Sequence, residues 1–98
     1  MVYSIKLLPE AYDDLKGIQL FYDNQAPNLG HYCTDLLFSE FERLRYFAGV
    51  HGQIKGFYRM LVQRFPLSIY YRLIGDTVIV VAILDNRQDP KRHINRLS

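Results

Sequence analysis

Hydrophobic positions change their period several times along this chain, and each change marks an element. Tyr3, Ile5 and Leu7 alternate with Ser4 and Lys6, which predicts a half-buried strand over Tyr3 to Leu8, ended by Pro9. Ala11, Leu15, Ile18 and Tyr22, joined by Tyr12 and Phe21, then recur at helical spacing. They predict a helix from Pro9 to Gln25, with the proline in its first turn and Glu10, Asp13 and Asp14 near the positive end of its dipole. Asn24-Gln25-Ala26-Pro27-Asn28 is a break, because Pro27 disfavours helical geometry at Ala26 and asparagines suit turns. A second helix follows, with an apolar stripe of Leu29, Tyr32, Cys33, Leu36, Leu37, Phe41, Leu44, Phe47 and Ala48, closed by Gly49 and Gly52. Two helices joined so briefly form an antiparallel hairpin.

After a loop from Val50 to Gly56 the pattern becomes that of strands: Phe57 to Phe65, Leu67 to Leu73 and Thr77 to Leu84, rich in aromatic and branched residues. Pro66 sits at one turn, and Gly75-Asp76 forms a two-residue hairpin loop of the primed type at the next. Val78 to Leu84 shows no alternation, so both faces of that strand are covered and it is central to the sheet. Asp89-Pro90 reads as an N-cap and a first-turn proline, opening a short helix or tail with Ile94 and Leu97 facing inward. The expected fold is α+β over residues 1–98 as one domain. It has an N-terminal strand, an antiparallel helical hairpin packed on a mostly antiparallel four-stranded sheet, and a short basic C-terminal tail.

Composition narrows the function classes. At 98 residues, 49% hydrophobic and 14% aromatic, the chain builds a core but has no room for a second domain or a deep cleft around a large cofactor. Its net charge of +2 averages −3 over residues 1–50 and +5 over residues 51–98, an asymmetry that suits an anionic partner or a solvated basic face. A single cysteine, Cys33, on an apolar helical stripe reads as a core residue and suits a reducing, cytoplasmic compartment. No apolar run reaches membrane-spanning length and the first ten residues do not read as a signal peptide.

Candidate chemistry is sparse. There is no Gly-rich phosphate loop, nucleophile elbow or paired-cysteine motif, which removes nucleotide hydrolysis, serine hydrolase and zinc-ribbon readings. His31, His51 and His93 lack metal-ligand spacing and read as scattered surface residues, while Asp13-Asp14 and Glu40/Glu42 read as polar helix faces. Neither a metal nor a cofactor is expected. Tyrosines serve packing first. A binding role needs Tyr and Arg on one sheet face, which Tyr58, Arg64, Tyr70 and Arg72 allow without deciding whether their faces coincide.

The run Arg64-Phe65-Pro66-Leu67-Ser68-Ile69-Tyr70-Tyr71-Arg72-Leu73, with Gly75-Asp76, the Val78 to Leu84 strand and Arg87-Gln88-Asp89-Pro90, resembles the RelE/ParE superfamily of toxins from type II toxin–antitoxin modules. The likeness extends over essentially the whole chain, although Asp85 and Gln88 replace a His and an Arg that the family pattern usually carries. It implies one of two mechanisms: RelE-like cleavage of mRNA on the ribosome, or ParE-like poisoning of DNA gyrase by binding. RelE-like enzymes use Lys and Arg on the sheet and a Tyr in the C-terminal segment, and the aligned positions here hold Ser68, Gln88 and Ile94. Arg59 and Arg87 remain, but arginine stays protonated and cannot serve as an acid–base pair.

The expectation is therefore a ParE-like toxin with no catalytic residue. Arg87, Asp89, Pro90, Lys91, Arg92 and Arg96 of the tail are expected at the target contact, and Arg59, Arg64 and Arg72 on a basic sheet surface. The resemblance further implies a cognate antitoxin lying across the helical hairpin and the exposed sheet edge, in a hetero-oligomer that meets operator DNA only through the antitoxin, and a role in plasmid stabilisation. A non-toxic binding module derived from such a toxin is a further alternative.

Overall fold

The computed structural model describes residues 2–98. In chain order the elements are β1 (Ser4–Leu7), α1 (Pro9–Gln25), α2 (Leu29–Phe47), β2 (Gln53–Ile54), β3 (Phe57–Leu61), β4 (Leu67–Ile74), β5 (Thr77–Asp85) and α3 (Pro90–Leu97). The strands form one sheet in the order β1-β5-β4-β3-β2, and it is mixed: β1 runs parallel to β5 while every other pair is antiparallel. Five strands replace the expected four. The addition is β2, and it exists because Lys55 (φ 56°) and Gly56 (φ 82°) both occupy the left-handed region, giving a type I′ turn that folds Gln53–Ile54 back onto Tyr58 and Phe57. Two residues are too few for alternation to register.

The helical hairpin begins and ends where the periodicity placed it. Asn28 takes the left-handed conformation (φ 65°) that reverses the chain, and its side chain caps nothing. Instead the Asp23 carboxylate of α1 accepts the Gly30 N–H at 2.8 Å, satisfying one donor that the α2 N-terminus leaves free. Gly30 is required there, since a Cβ would collide with the Gln19 carbonyl of α1. β3 stops at Leu61, short of the expected Phe65. Arg64 turns left-handed (φ 73°) and the Val62 N–H donates to the Leu67 carbonyl at 2.9 Å, so residues 62–66 form the turn into β4.

Burial sorts the molecule into three layers. Ala11, Leu15 and Tyr22 of α1, with Cys33, Leu37, Phe41 and Leu44 of α2, pack on Met60, Ile69, Tyr71, Val78 and Val80 of the sheet. Each fully buried aliphatic side chain contributes about 1.5–3 kcal/mol. On the other sheet face, Tyr70 and Ala82 pack with Leu97 of α3. β5 is thus covered on both faces, as its unbroken apolar run indicated; Tyr70 and Tyr71 bury on opposite faces by alternation, and a bulge at Val81 of β5 sets Ala82 opposite Tyr70 and Val80 opposite Tyr71.

α3 corrects one expectation. Leu97 is buried, but its partner on the inward face is His93, four residues earlier, while Ile94 remains 37% exposed. The reading of all three histidines as surface residues fails for the same reason, because the i, i+4 pair His93/Leu97 faces Tyr70 and Ala82.

Candidate functional site

Alternation and register decide which basic residues share a surface. Arg59 lies opposite Tyr70, so Arg59, Ser68, Tyr70 and Arg72 project from the face that carries α3, whereas Tyr58 lies opposite Tyr71 and stacks on it in the core at 5.1 Å. Tyr58 and Tyr70 are therefore on opposite faces. Arg64 is elsewhere as well: its guanidinium donates to the Tyr32 hydroxyl on α2 at 2.5 Å. Of the expected basic sheet surface, Arg59 and Arg72 belong together and Arg64 does not.

Arg59 is held from two sides. Its Nε donates to Ser68 Oγ at 3.0 Å and its Nη2 to Asn86 Oδ1 at 3.2 Å, while the Ser68 hydroxyl donates to the same Asn86 oxygen. Arg72 lies over the Phe57 ring at 5.8 Å. Between Arg59 and α3 is a pocket of about 190 Å³, with Arg59, Asn86 and Gln88 as its polar lining, Ile54, Pro90 and Ile94 as apolar walls, and Tyr70 and His93 at its floor.

His93 forms that floor as a ring fixed at both nitrogens. Its Nε2 lies 2.7 Å from the Asp85 carbonyl, which can only accept, so Nε2 donates there, and Nδ1 shares a hydrogen bond of 2.8 Å with the Tyr70 hydroxyl. Both nitrogens are engaged in holding α3 on the sheet.

The tail residues serve the fold in several ways. The Asp89 carboxylate accepts the Lys91 N–H at 2.9 Å and Pro90 takes the first helical position, the N-terminus that the sequence indicated. Arg87 grips the Asp85 carboxylate at 3.0 and 2.7 Å and lies 5.8 Å from the Phe21 ring. Those hydrogen bonds hold the Asp85 pKa below its ordinary value, against the opposing effect of burial. Arg96 grips Asp14 of α1 at 3.0 and 2.8 Å and the Glu10 carbonyl at 3.2 Å. Lys91 and Arg92 are exposed and form no ion pair among the described residues.

Asp14 has a second task. β1 pairs with β5 only as far as Val80, so the Ile83 N–H lies beyond that pairing, and Asp14 accepts it at 3.0 Å. One carboxylate thus ties α1, β5 and α3 together. The Arg96–Asp14 bridge borders a cleft of about 400 Å³ lined also by Asp13, Gly17, Phe21 and Gln88. Tyr22 lies beside it with a buried hydroxyl that has no partner among the described residues, and burial pushes its pKa up. Cys33 is fully buried, with a thiol pushed up to about 11 by desolvation.

Sequence reasoning identified Arg59, Ser68 and Tyr70 individually but missed Asn86 and His93. The spacing of His93 and Leu97 was an available signal for the latter; for Asn86 nothing local distinguishes it from a turn residue. No metal-holding cluster is found among the described residues, and none of their helices is long and apolar enough to cross a membrane.

A helical hairpin on a mixed sheet whose opposite face carries a C-terminal helix is the RelE/ParE fold. The chain superimposes on the chromosomal ParDE TA system from P. aeruginosa with a TM-score of 0.78 at 20% identity, covering 86% of this chain and 96% of that one. It also superimposes on an arginine double mutant of the E. coli toxin RelE in the free state, with a TM-score of 0.57 at 13% identity and 100% of both chains covered. The toxin–antitoxin complex RelBE2 from Mycobacterium tuberculosis gives a TM-score of 0.54 at 16% identity over 87% of this chain and 99% of that one. No family model and no curated protein matches the sequence.

Proposed function

We propose that this chain is the toxin of a type II toxin–antitoxin module and acts in the ParE manner, binding DNA gyrase and blocking replication until a small antitoxin neutralises it. The observation that carries the reading is the fit to the ParDE structure, at a TM-score of 0.78 against 0.57 for RelE. The chemistry of the α3 face supports it. Metal-free cleavage of a phosphodiester needs a group to take a proton and another to give one. Here Ser68 and Asn86 orient an arginine, His93 has both nitrogens engaged, and Gln88 and Ile94 stand where the RelE-like resemblance leads one to look for Arg and Tyr. Such a surface binds; it does not shuttle protons. The antitoxin lies across the helical hairpin and the sheet edge, and the module works in the cytoplasm, where it stabilises the replicon that encodes it.

Controlled expression without antitoxin should arrest growth with a DNA-damage response, and the purified chain should inhibit supercoiling or trap cleaved DNA with gyrase. Normal supercoiling together with rapid translational arrest would overturn the gyrase reading in favour of mRNA cleavage. Unimpaired growth with correctly folded protein would leave a non-toxic binding module.

A further inference from the structure

From the α3 face we infer that the pocket between Arg59 and α3 is a carboxylate-binding slot, which receives one glutamate or aspartate side chain of an acidic partner segment. The donors converge there. Arg59 spends Nε on Ser68 and one Nη2 hydrogen on Asn86, so its Nη1 and the remaining Nη2 hydrogen are free of partners among the described residues. Asn86 turns its oxygen toward Arg59 and Ser68, and its amide N–H₂ is therefore left as a donor beside the guanidinium. A guanidinium fixed from two sides loses little freedom when it grips a planar acceptor pair, which makes it suited to a carboxylate.

Size separates a side chain from a nucleotide. At about 190 Å³ the slot is smaller than the ~300 Å³ at which small-molecule and cofactor sites begin. Its apolar walls, Ile54, Pro90 and Ile94, match the methylenes between a carboxylate and its backbone. Charge complementarity names the rest of the partner. Arg72 projects from the same sheet face, Lys91 and Arg92 lie exposed on α3, and none of them has an ion-pair partner among the described residues. The segment that fits carries further acidic residues beside the inserted one. The inference deepens the toxin reading and rests on it for the source of that segment, the antitoxin, whose path over the sheet edge reaches the slot at Ile54 of the edge strand β2.

The test is a titration of the full-length, ¹⁵N-labelled chain with an acetylated peptide alternating Glu and Leu, with its Gln-for-Glu counterpart, and with single-stranded RNA and DNA decamers. The Glu peptide should shift the signals of Arg59, Ser68, Asn86 and His93 and should bind about tenfold or more tightly than the Gln peptide. Arg59→Lys keeps the charge but loses the fork, and should weaken the Glu peptide by a similar factor. Asn86→Asp places a carboxylate against Arg59 from within the chain, so it should abolish binding in a protein whose unfolding midpoint is unchanged. Equal affinity for the two peptides, shifts confined to other surfaces, or an oligonucleotide occupying the slot more tightly than the Glu peptide would each overturn the inference. Growth arrest on expression is scored separately. Arrest without peptide binding defeats the slot alone, and peptide binding without arrest defeats the toxin reading alone.

Discussion

His51 shows how a single side chain makes stability depend on pH. The Tyr71 hydroxyl accepts the Gly49 N–H at 2.9 Å and shares a hydrogen bond of 2.6 Å with His51 Nδ1, which holds the imidazole against the buried phenol. Burial, and secondarily Arg43, lower the His51 pKa below 6.5, with Glu40 opposing them. The folded state therefore holds fewer protons than the unfolded chain in that window, and the contribution is complete above the unfolded value of 6.5 and lost as pH falls toward the folded one. Unfolding midpoints measured from pH 8 to pH 5 should fall, and His51→Gln should flatten the fall. A midpoint that rises on acidification would contradict the lowered His51 pKa. Asp14 is the other residue that concentrates consequences. Arg96→Ala removes only the arginine half of the clamp, whereas Asp14→Ala also orphans the Ile83 N–H and should cost about 1–3 kcal/mol more in urea unfolding.

Elements join through a few contacts that periodicity cannot reveal. The α1–α2 crossing depends on Gly30, where any Cβ meets the Gln19 carbonyl, so Gly30→Ala should cost about 1–3 kcal/mol of overpacking strain by denaturant unfolding. A neutral result would mean that the helices part without strain. At the other end, α3 begins on the Asp89 side chain, and Asp89→Ala should lower stability by about 1 kcal/mol. Amide exchange should quicken first in residues 91–94, with β4 and β5 unaffected. These two sites differ in legibility. Asp89-Pro90 is a local signal, since a capping side chain and a first-turn proline act on adjacent backbone. The need for Gly30 comes from a residue eleven positions earlier on another helix, and β2 was invisible because its turn chemistry rests on a lysine with positive φ.

Over the whole molecule, charge is divided by layer. The acidic first half forms β1 and the helical hairpin and the basic second half forms the rest of the sheet and α3, but Arg87 and Arg96 of that half spend their charge on Asp85 and Asp14. Lys91 and Arg92 are the tail cations available to a partner, which narrows the expected target contact to them. The Lys91→Glu/Arg92→Glu double variant should abolish growth arrest without lowering the unfolding midpoint, because neither side chain is buried or paired. Full toxicity in that variant would move the target contact off the tail. Arg87→Ala, by contrast, should alter the loop after β5 and act through structure.

What the sequence determined by itself was the order and nature of the long elements, the covered central strand and the N-terminus of α3. All of these follow from the period of apolar positions or from a cap and the residues beside it, which are short-range physics. What only the tertiary structure decided was which arginines stand free. Sequence placed Arg59, Arg64 and Arg72 on one surface and six tail residues in one contact. The left-handed turn after β3 sent Arg64 to Tyr32 of α2, the shortness of β1 recruited Asp14 and with it Arg96, and the pairing of β3, β4 and β5 brought Ser68 and Asn86 around Arg59. Arg87 finds its acceptor two residues back, at Asp85, but the others take whatever acceptor the fold brings within a few ångströms, tens of positions away in the chain: 82 separate Arg96 from Asp14, 32 separate Arg64 from Tyr32 and 27 separate Arg59 from Asn86.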